Sequence, residues 1–331
     1  MYAYILSQAG CSVTAVCRSN YTFVKEHGFT IHSSKYGQDI KLRPSVVSSI
    51  VETAAQQNNE DGDAGWDYIV ICTKALPSST PSTCDLIAPA VGPKTTIVLI
   101  QNGISIEDDY SARFPSTPLL SCVVYMPVTQ TSPGIIEHIE PLESLEIGTY
   151  PATASAEHKA SAQRFRELVK KGGGNAEVYD DIQERRWLKL VVNAVWNPIC
   201  ALSRSPDASV LAASEGAVDV VWEVMLEVVA TAQAYGYTAV DEEKARWQIA
   251  RAKGRLERGF VGKEPSMLVD VWEGRRMEVE AIVGNTVRLA KGKGVKVPRL
   301  ETVYVCVKAL DESIAKGYRG SLAAEPNEKA R

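Results

Sequence analysis

Between Trp187 and Pro198 the chain reads Trp-Leu-Lys-Leu-Val-Val-Asn-Ala-Val-Trp-Asn-Pro, an apolar run broken at Lys189, Asn193 and Asn197. A spacing of four stacks all three on one helix face, with only a slight drift per step. An ammonium and two amides among Leu, Val and Trp are costly to bury unless something binds them. A solvated stripe on an ordinary helix is one reading. The stripe is narrow and flanked by apolar residues on both sides, which favours a polar floor inside a cleft.

The start of the chain constrains the fold in another way. Met1 to Gly10 reads as a short helix ending in a Gly stop. Cys11 to Cys17 then alternates like a strand and is closed by Arg18-Ser19-Asn20. Helix, Gly, strand and polar turn form the second half of a dinucleotide-binding βαβ unit. The first half would be a strand leading into a Gly-x-Gly-x-x-Gly turn, and it does not occur in the sequence. Gly172-Gly173-Gly174 follows a helix and Gly292-Lys293-Gly294 lies between helices, so neither has the strand-to-helix context.

With 331 residues the chain has room for two domains and a sizeable core. A formal charge of −4 offers no electrostatic reason to expect nucleic acid or an acidic membrane. No apolar run reaches the length of a membrane span, and the start lacks the zones of a signal peptide. Seven scattered Cys without a Cys-x-x-Cys pair indicate a reducing compartment, so the cytoplasm is expected. Four dispersed His residues show no metal-ligand spacing.

The first half alternates strands and helices. Strands are expected at Phe29 to His32, Asp67 to Cys72 and Thr95 to Ile100, the last two apolar enough for a buried parallel sheet. Helices are expected near residues 79–91 and 104–113, with a solvated loop from Ala54 to Trp66. Leu119 to Gly148 reads as β structure with a hairpin turn at Ser132-Pro133-Gly134. A helix from Ala156 to Lys171 and a short strand at Ala176 to Tyr179 follow. From Asp181 the signal is helical, with helices expected at 217–235, 242–258, 277–291 and 300–316. Three parts are therefore expected: an α/β domain over 1–180, a helical domain over 181–317 and a flexible tail over 318–331. A cleft between the two domains is the natural place for a ligand.

Three strand-end loops carry reactive groups, as ligands of open α/β sheets require. Arg18 stands where an acidic residue would grip the ribose of NAD, and a cation suits the extra phosphate of NADP. Lys74 closes Ile71-Cys72-Thr73-Lys74, and Asn102 ends Leu99-Ile100-Gln101-Asn102-Gly103, although Asn-Gly alone is also a turn signal. In the second half, Ser266 opens Ser-Met-Leu-Val-Asp and can simply cap a turn, while Glu278 and its neighbour Glu280 can be solvated helix residues.

Taken together, these residues resemble the ketopantoate reductase (2-dehydropantoate 2-reductase) family over most of the chain. The resemblance rests on Cys17-Arg18, Cys72-Thr73-Lys74, Gln101-Asn102-Gly103, Ser132-Pro133-Gly134 with His138, Lys189-x-x-x-Asn193-x-x-x-Asn197-Pro198, Ser266-Met267-Leu268-x-Asp270 and Glu278. It implies a Rossmann-like dinucleotide-binding domain, here truncated before the Gly-rich loop with its first strand missing, followed by an all-helical C-terminal domain. It further implies NADPH-dependent reduction of 2-dehydropantoate to pantoate, a step of pantothenate biosynthesis. Lys189 would be the general acid, and Glu278 would hold lysine and substrate in place. Asn193, Asn197 and Ser266 would bind the small 2-oxo acid, Asn102 would sit near nicotinamide and substrate, and Arg18 and Lys74 would favour NADPH. No metal is implied.

The chain departs from that pattern at Glu140-Pro141-Leu142-Glu143-Ser144, which replaces a Gly-rich turn after His138 and can reshape one wall of the site. Two alternatives therefore stand beside the leading one. One is a related 2-oxo-acid reductase of secondary metabolism. The other is a catalytically silent binding or regulatory protein that keeps the fold. A homodimer is compatible with either, since a helical domain can bury an apolar face internally or against a second copy.

Overall fold

The computed structural model describes residues 1–55, 65–77 and 79–317. The chain divides into two compact units, Met1–Arg186 and Trp187–Arg331. The tail expected beyond residue 317, and most of the loop expected from Ala54 to Trp66, lie outside the described residues.

The first unit opens with α1 (Tyr2–Gln8), β1 (Thr14–Val16), α2 (Tyr21–His27), β2 (Phe29–Ser33), β3 (Gly37–Leu42), β4 (Ser45–Val47) and α3 (Ile50–Ala55). It continues through β5 (Tyr68–Ile71), α4 (Thr83–Ile87), β6 (Thr96–Leu99), α5 (Asp108–Arg113), β7 (Leu119–Tyr125), β8 (Val128–Ser132) and β9 (Ile135–His138). β10 (Ser144–Thr149), α6 (Ala156–Lys171) and β11 (Ala176–Val178) complete it. The main sheet runs β11-β10-β7-β6-β5, with β5, β6 and β7 mutually parallel and β10 antiparallel to β7. β1 pairs in parallel with β4 as a separate ribbon, and β5 is the edge strand of the main sheet. The exposures fit this arrangement. All four residues of β6, paired on both edges, are buried, whereas Tyr68, Ile69 and Val70 of β5 are half-buried.

A further sheet, β3-β2-β9-β8, joins residues about a hundred positions apart, with Thr30 opposite Ile135 and Ile31 opposite Ile136. The β8–β9 hairpin turns at the expected Ser-Pro-Gly, where Gly134 has φ +74°. A residue with a Cβ would meet Phe23 and the Gly28 carbonyl there.

Two helices are shorter than expected. Ser82 accepts the Asp85 N–H at 3.1 Å and starts α4 only at Thr83. Ser105 has φ +54°, which keeps the chain out of helix until Asp108. By contrast α6 has the expected bounds, because Ser155 caps its start and Gly172 ends it. The core is built from Ile5 of α1, Val98, Leu120, Leu145, Ile147 and the Phe165–Val169 face of α6, all buried. Full burial of such side chains contributes about 1.5–3 kcal/mol each.

α7 (Ile182–Ser203) starts in the first unit and continues into the second. The second unit then adds α8 (Asp207–Ala212), α9 (Ala217–Ala234), α10 (Glu242–Glu257) and α11 (Ser266–Trp272). A π-helical turn (Glu280–Gly284) leads into α12 (Asn285–Gly292), and α13 (Pro298–Ala315) follows. The regular helix expected from residue 277 is replaced at its start by that turn. Gly284 makes the turn fit: a Cβ there would lie 2.6 Å from the Glu280 carboxylate and 3.0 Å from the Tyr304 ring. Glu227 is a buried acid in the apolar α9, and it accepts the Arg299 and Leu300 N–H groups at 3.1 and 2.8 Å. A carboxylate suits the positive end of α13.

Candidate active site

Within the second unit the polar stripe of α7 is real. Asn197 is buried, Lys189 and Asn193 are half-buried, and Leu190, Val191, Ala194, Val195 and Cys200 pack beside them as core. Asn197 reaches across to the start of α11. Its Oδ1 accepts the Ser266 hydroxyl at 3.1 Å and the Met267 N–H at 3.2 Å. The cap of α11 is thus supplied by α7 and not by Ser266, whose hydroxyl is a donor to Asn197 and is otherwise exposed. Residues 69 positions apart are brought into one hydrogen-bonded group.

The two candidate glutamates separate cleanly. Glu278 is buried two residues before the π-helical turn, with its carbonyl accepting the Ile282 N–H at 3.1 Å. The preceding segment is pinned by Asp311, which accepts the Met277 N–H at 2.7 Å and Arg276 Nε at 2.9 Å. Glu280 is spent on structure, accepting from Arg288 Nη1 and the Tyr304 hydroxyl, both at 2.9 Å, with Lys308 at 3.3 Å. Burial acts to raise the Glu280 pKa, but the Arg288, Tyr304 and Lys308 hydrogen bonds outweigh it and hold the carboxyl below its ordinary 4.5. A depressed folded-state pKa stabilises above the unfolded value and is lost as pH falls through the folded one. Glu280→Gln is therefore expected to flatten the loss of stability below about pH 4.5. Urea unfolding at pH 3 to 6 would show it; parallel wild-type and variant curves would contradict the assignment.

In the first unit, Arg18, Lys74 and Asn102 follow the C-terminal ends of β1, β5 and β6. Arg18 is exposed, and Lys74 and Asn102 are half-buried. The last two sit on braced neighbouring loops, because Gln101 Nε2 donates to the Thr73 carbonyl at 2.7 Å. The Asn102 loop is held from below by Arg186, a residue the sequence reading passed over. Its guanidinium donates to the carbonyls of Gln101 and Gly103, both at 3.0 Å, and pairs with the buried Glu107 at 2.7 Å. No sequence signal separates Arg186 from its neighbour Arg185, which instead pairs with Glu146 and is part-exposed. His138 is buried structure: Ser33 Oγ lies 2.9 Å from Nδ1 and the Leu142 carbonyl 3.0 Å from Nε2. Glu143, in the segment that departs from the family pattern, binds Lys35 at 2.6 Å and the Asn175 N–H at 2.7 Å. Among the described residues no His, Cys, Asp or Glu cluster could hold a metal ion, and no helix is long and apolar enough to cross a membrane.

A parallel-stranded α/β unit with cationic and amide groups at its strand ends, joined to a helical unit bearing a Lys-Asn-Asn face, defines a class of two-domain oxidoreductase. The comparisons identify which one. The family model Ketopantoate reductase PanE/ApbA matches residues 1–152, and its C-terminal companion matches residues 181–311. The chain belongs to the ketopantoate reductase family. It is 31% identical to the uncharacterized protein YDL144C of Saccharomyces cerevisiae, over 88% of this chain and 84% of that protein. It is 30% identical to a 2-dehydropantoate 2-reductase of Mesorhizobium japonicum, over 74% of this chain and 76% of that one. The crystal structure of 2-dehydropantoate 2-reductase from Methylococcus capsulatus superimposes with a TM-score of 0.78, at 32% identity, covering 98% of this chain and 96% of that one.

Proposed function

We propose that this protein is an NADPH-dependent reductase of a small 2-oxo acid, with 2-dehydropantoate as the leading substrate and pantoate as the product. The observation that carries the reading is the α7 face: Lys189, Asn193 and Asn197 in register, with Asn197 tied to Ser266. The donor set fits the two ends of the cofactor. Arg18 offers an exposed guanidinium for a ribose phosphate, and Lys74 and Asn102 flank the adjacent strand ends. The glycine-rich turn that would cradle a pyrophosphate is not among the described residues.

When bound, the reduced nicotinamide supplies a hydride to the ketone carbon. Charge then develops on the ketone oxygen, and the Lys189 ammonium is the group assigned to stabilise it and to give it a proton. Glu278, a buried carboxylate in the same unit, is assigned to keep that ammonium charged and oriented. Asn193 offers an amide, and Ser266 offers lone pairs while its hydrogen is committed to Asn197. These neutral groups suit the hydroxyl and carboxylate of a short oxo acid.

Asn197→Asp tests the binding role. An aspartate keeps the acceptor for Ser266 and Met267 but puts a negative charge at a buried position, so a stability loss of about 1–3 kcal/mol is expected and kinetics are compared on protein shown to be folded. Like charges brought together cost several kcal/mol, so KM for an anionic oxo acid should rise about 100-fold. An unchanged KM would remove Asn197 from the substrate site. The whole reading is tested by following NADPH oxidation with 2-dehydropantoate beside a panel of other 2-oxo acids. Turnover with another oxo acid alone would move the substrate, and the Glu140–Ser144 departure is the feature that favours such a shift. No turnover with any of them, in protein shown to be folded, would sink the enzyme reading.

A further inference from the structure

We propose that Arg186 is the positioning residue of the Asn102 loop, clamping the backbone on both sides of that amide. The proposal rests on the reading of Asn102 as a residue at the nicotinamide and substrate end. Arg186 Nη1 donates to the carbonyls before and after Asn102, those of Gln101 and Gly103, each at 3.0 Å. The rest of the guanidinium is anchored on β7: Nη2 donates to the Cys122 carbonyl at 3.2 Å and Nε to Ser121 Oγ at 2.6 Å. Glu107 closes the group at 2.7 Å, and the same oxygen accepts from Ser121 Oγ at 2.6 Å and Gln183 Nε2 at 2.9 Å. The side chains of Arg186 and Glu107 are 2% and 0% exposed.

A buried ion pair is a poor device for stability alone, since apolar groups of equal volume serve as well or better. What it supplies here is geometry. The loop turns sharply, with Gly103 at φ +108° and Ser105 at φ +54°. A planar fork of fixed donors can bind two loop carbonyls and a strand at once, whereas an ammonium is a compact point donor and cannot span them. Gln101 extends the brace to the Lys74 loop through the Thr73 carbonyl. Both strand-end loops are thereby referred to one buried guanidinium.

The test is Arg186→Lys, which keeps the charge opposite Glu107 and removes the fork, with Arg185→Lys as the surface control. In the ligand-free protein, hydrogen exchange of amides 102–105 is expected to quicken about ten-fold in Arg186→Lys, with the β6 and β7 amides unchanged. With NADPH and the best oxo acid, kcat is expected to fall about ten-fold or more while KM for NADPH moves less than about three-fold. Unchanged loop exchange, or a rise shared equally by β6 and β7, overturns the proposal. So does a loop-confined rise with unchanged kcat, if Asn102→Ala lowers kcat. Should Arg186→Lys fail to fold, Ser121→Ala replaces it; loop exchange about three-fold faster supports the clamp and unchanged exchange overturns it. Asn102→Ala tells the two failures apart. If it leaves kcat untouched, the role given to the loop has failed, while the exchange result still decides whether Arg186 holds it.

Discussion

Lys189→Ala is expected to lower kcat by about 10²- to 10⁴-fold, the range for losing a positioned general acid. Stability should change little. Lys189 is half-buried in the middle of α7, and alanine is the best helix former. Lys189→Arg sharpens the result, because a guanidinium keeps the charge but does not give up its proton near neutral pH. If the ammonium serves only to attract an anionic substrate, arginine restores most of the rate. If it is the proton donor, arginine leaves kcat low while KM returns toward that of the wild type. Stopped-flow oxidation of NADPH under saturating oxo acid measures both. Activity within about three-fold of wild type in the alanine variant would exclude the acid role.

The largest expected effect on stability falls in the first unit, at Gly172→Ala. The residue ends α6 with φ −80° and ψ 6°, a conformation alanine adopts freely, so no backbone strain arises. The cost is contact. A Cβ at Gly172 would lie 1.9 Å from the Ile5 carbonyl oxygen and 2.7 Å from its carbon, both backbone atoms of α1. Ile5 is fully buried against Phe165 and Val169, so relief requires α1 to move off the core as a unit. Overpacking of this severity is expected to cost about 3 kcal/mol or more, a loss of about 6–12 °C in Tm. Gly254→Ala, inside α10 with its nearest neighbour the flexible end of Arg258 at 3.5 Å, should instead gain about 0.5–1 kcal/mol. Thermal unfolding of the two variants side by side distinguishes contact from a general sensitivity to glycine replacement. An unchanged Tm in Gly172→Ala would mean α1 is not seated as described.

The Glu278 and Glu280 pair shows how far local pattern reaches. Both are acids at the start of an expected helix, two positions apart, and nothing in their immediate neighbours assigns them different work. Only the packing of α12 and α13 does so, by placing Arg288, Tyr304 and Lys308 around Glu280, while Glu278 two positions earlier is buried. Ser266 is similar. Its position before a short helix suggests a cap, yet the cap comes from Asn197, which lies 69 residues earlier.

Features written in short-range chemistry were legible in the sequence alone. The period of four in α7, the Gly-rich end of α6, the Ser-Pro-Gly hairpin, the apolar run of β6 and the order of an α/β half before a helical half all follow from neighbours within a turn or two. The candidate residues Lys189, Asn193, Asn197, Ser266 and Glu278 were legible for the same reason, as polar groups at fixed offsets in apolar surroundings. Tertiary structure decided the rest. It paired β2 with β9 in a separate sheet, set Arg186 and Glu107 together beneath the Asn102 loop, and brought Gly172 against Ile5. Each of these joins residues about 80 or more positions apart whose identities are unremarkable where they stand. A buried arginine and an exposed one read alike in the sequence, and only the desolvation and hydrogen-bond demands of a closed core tell them apart.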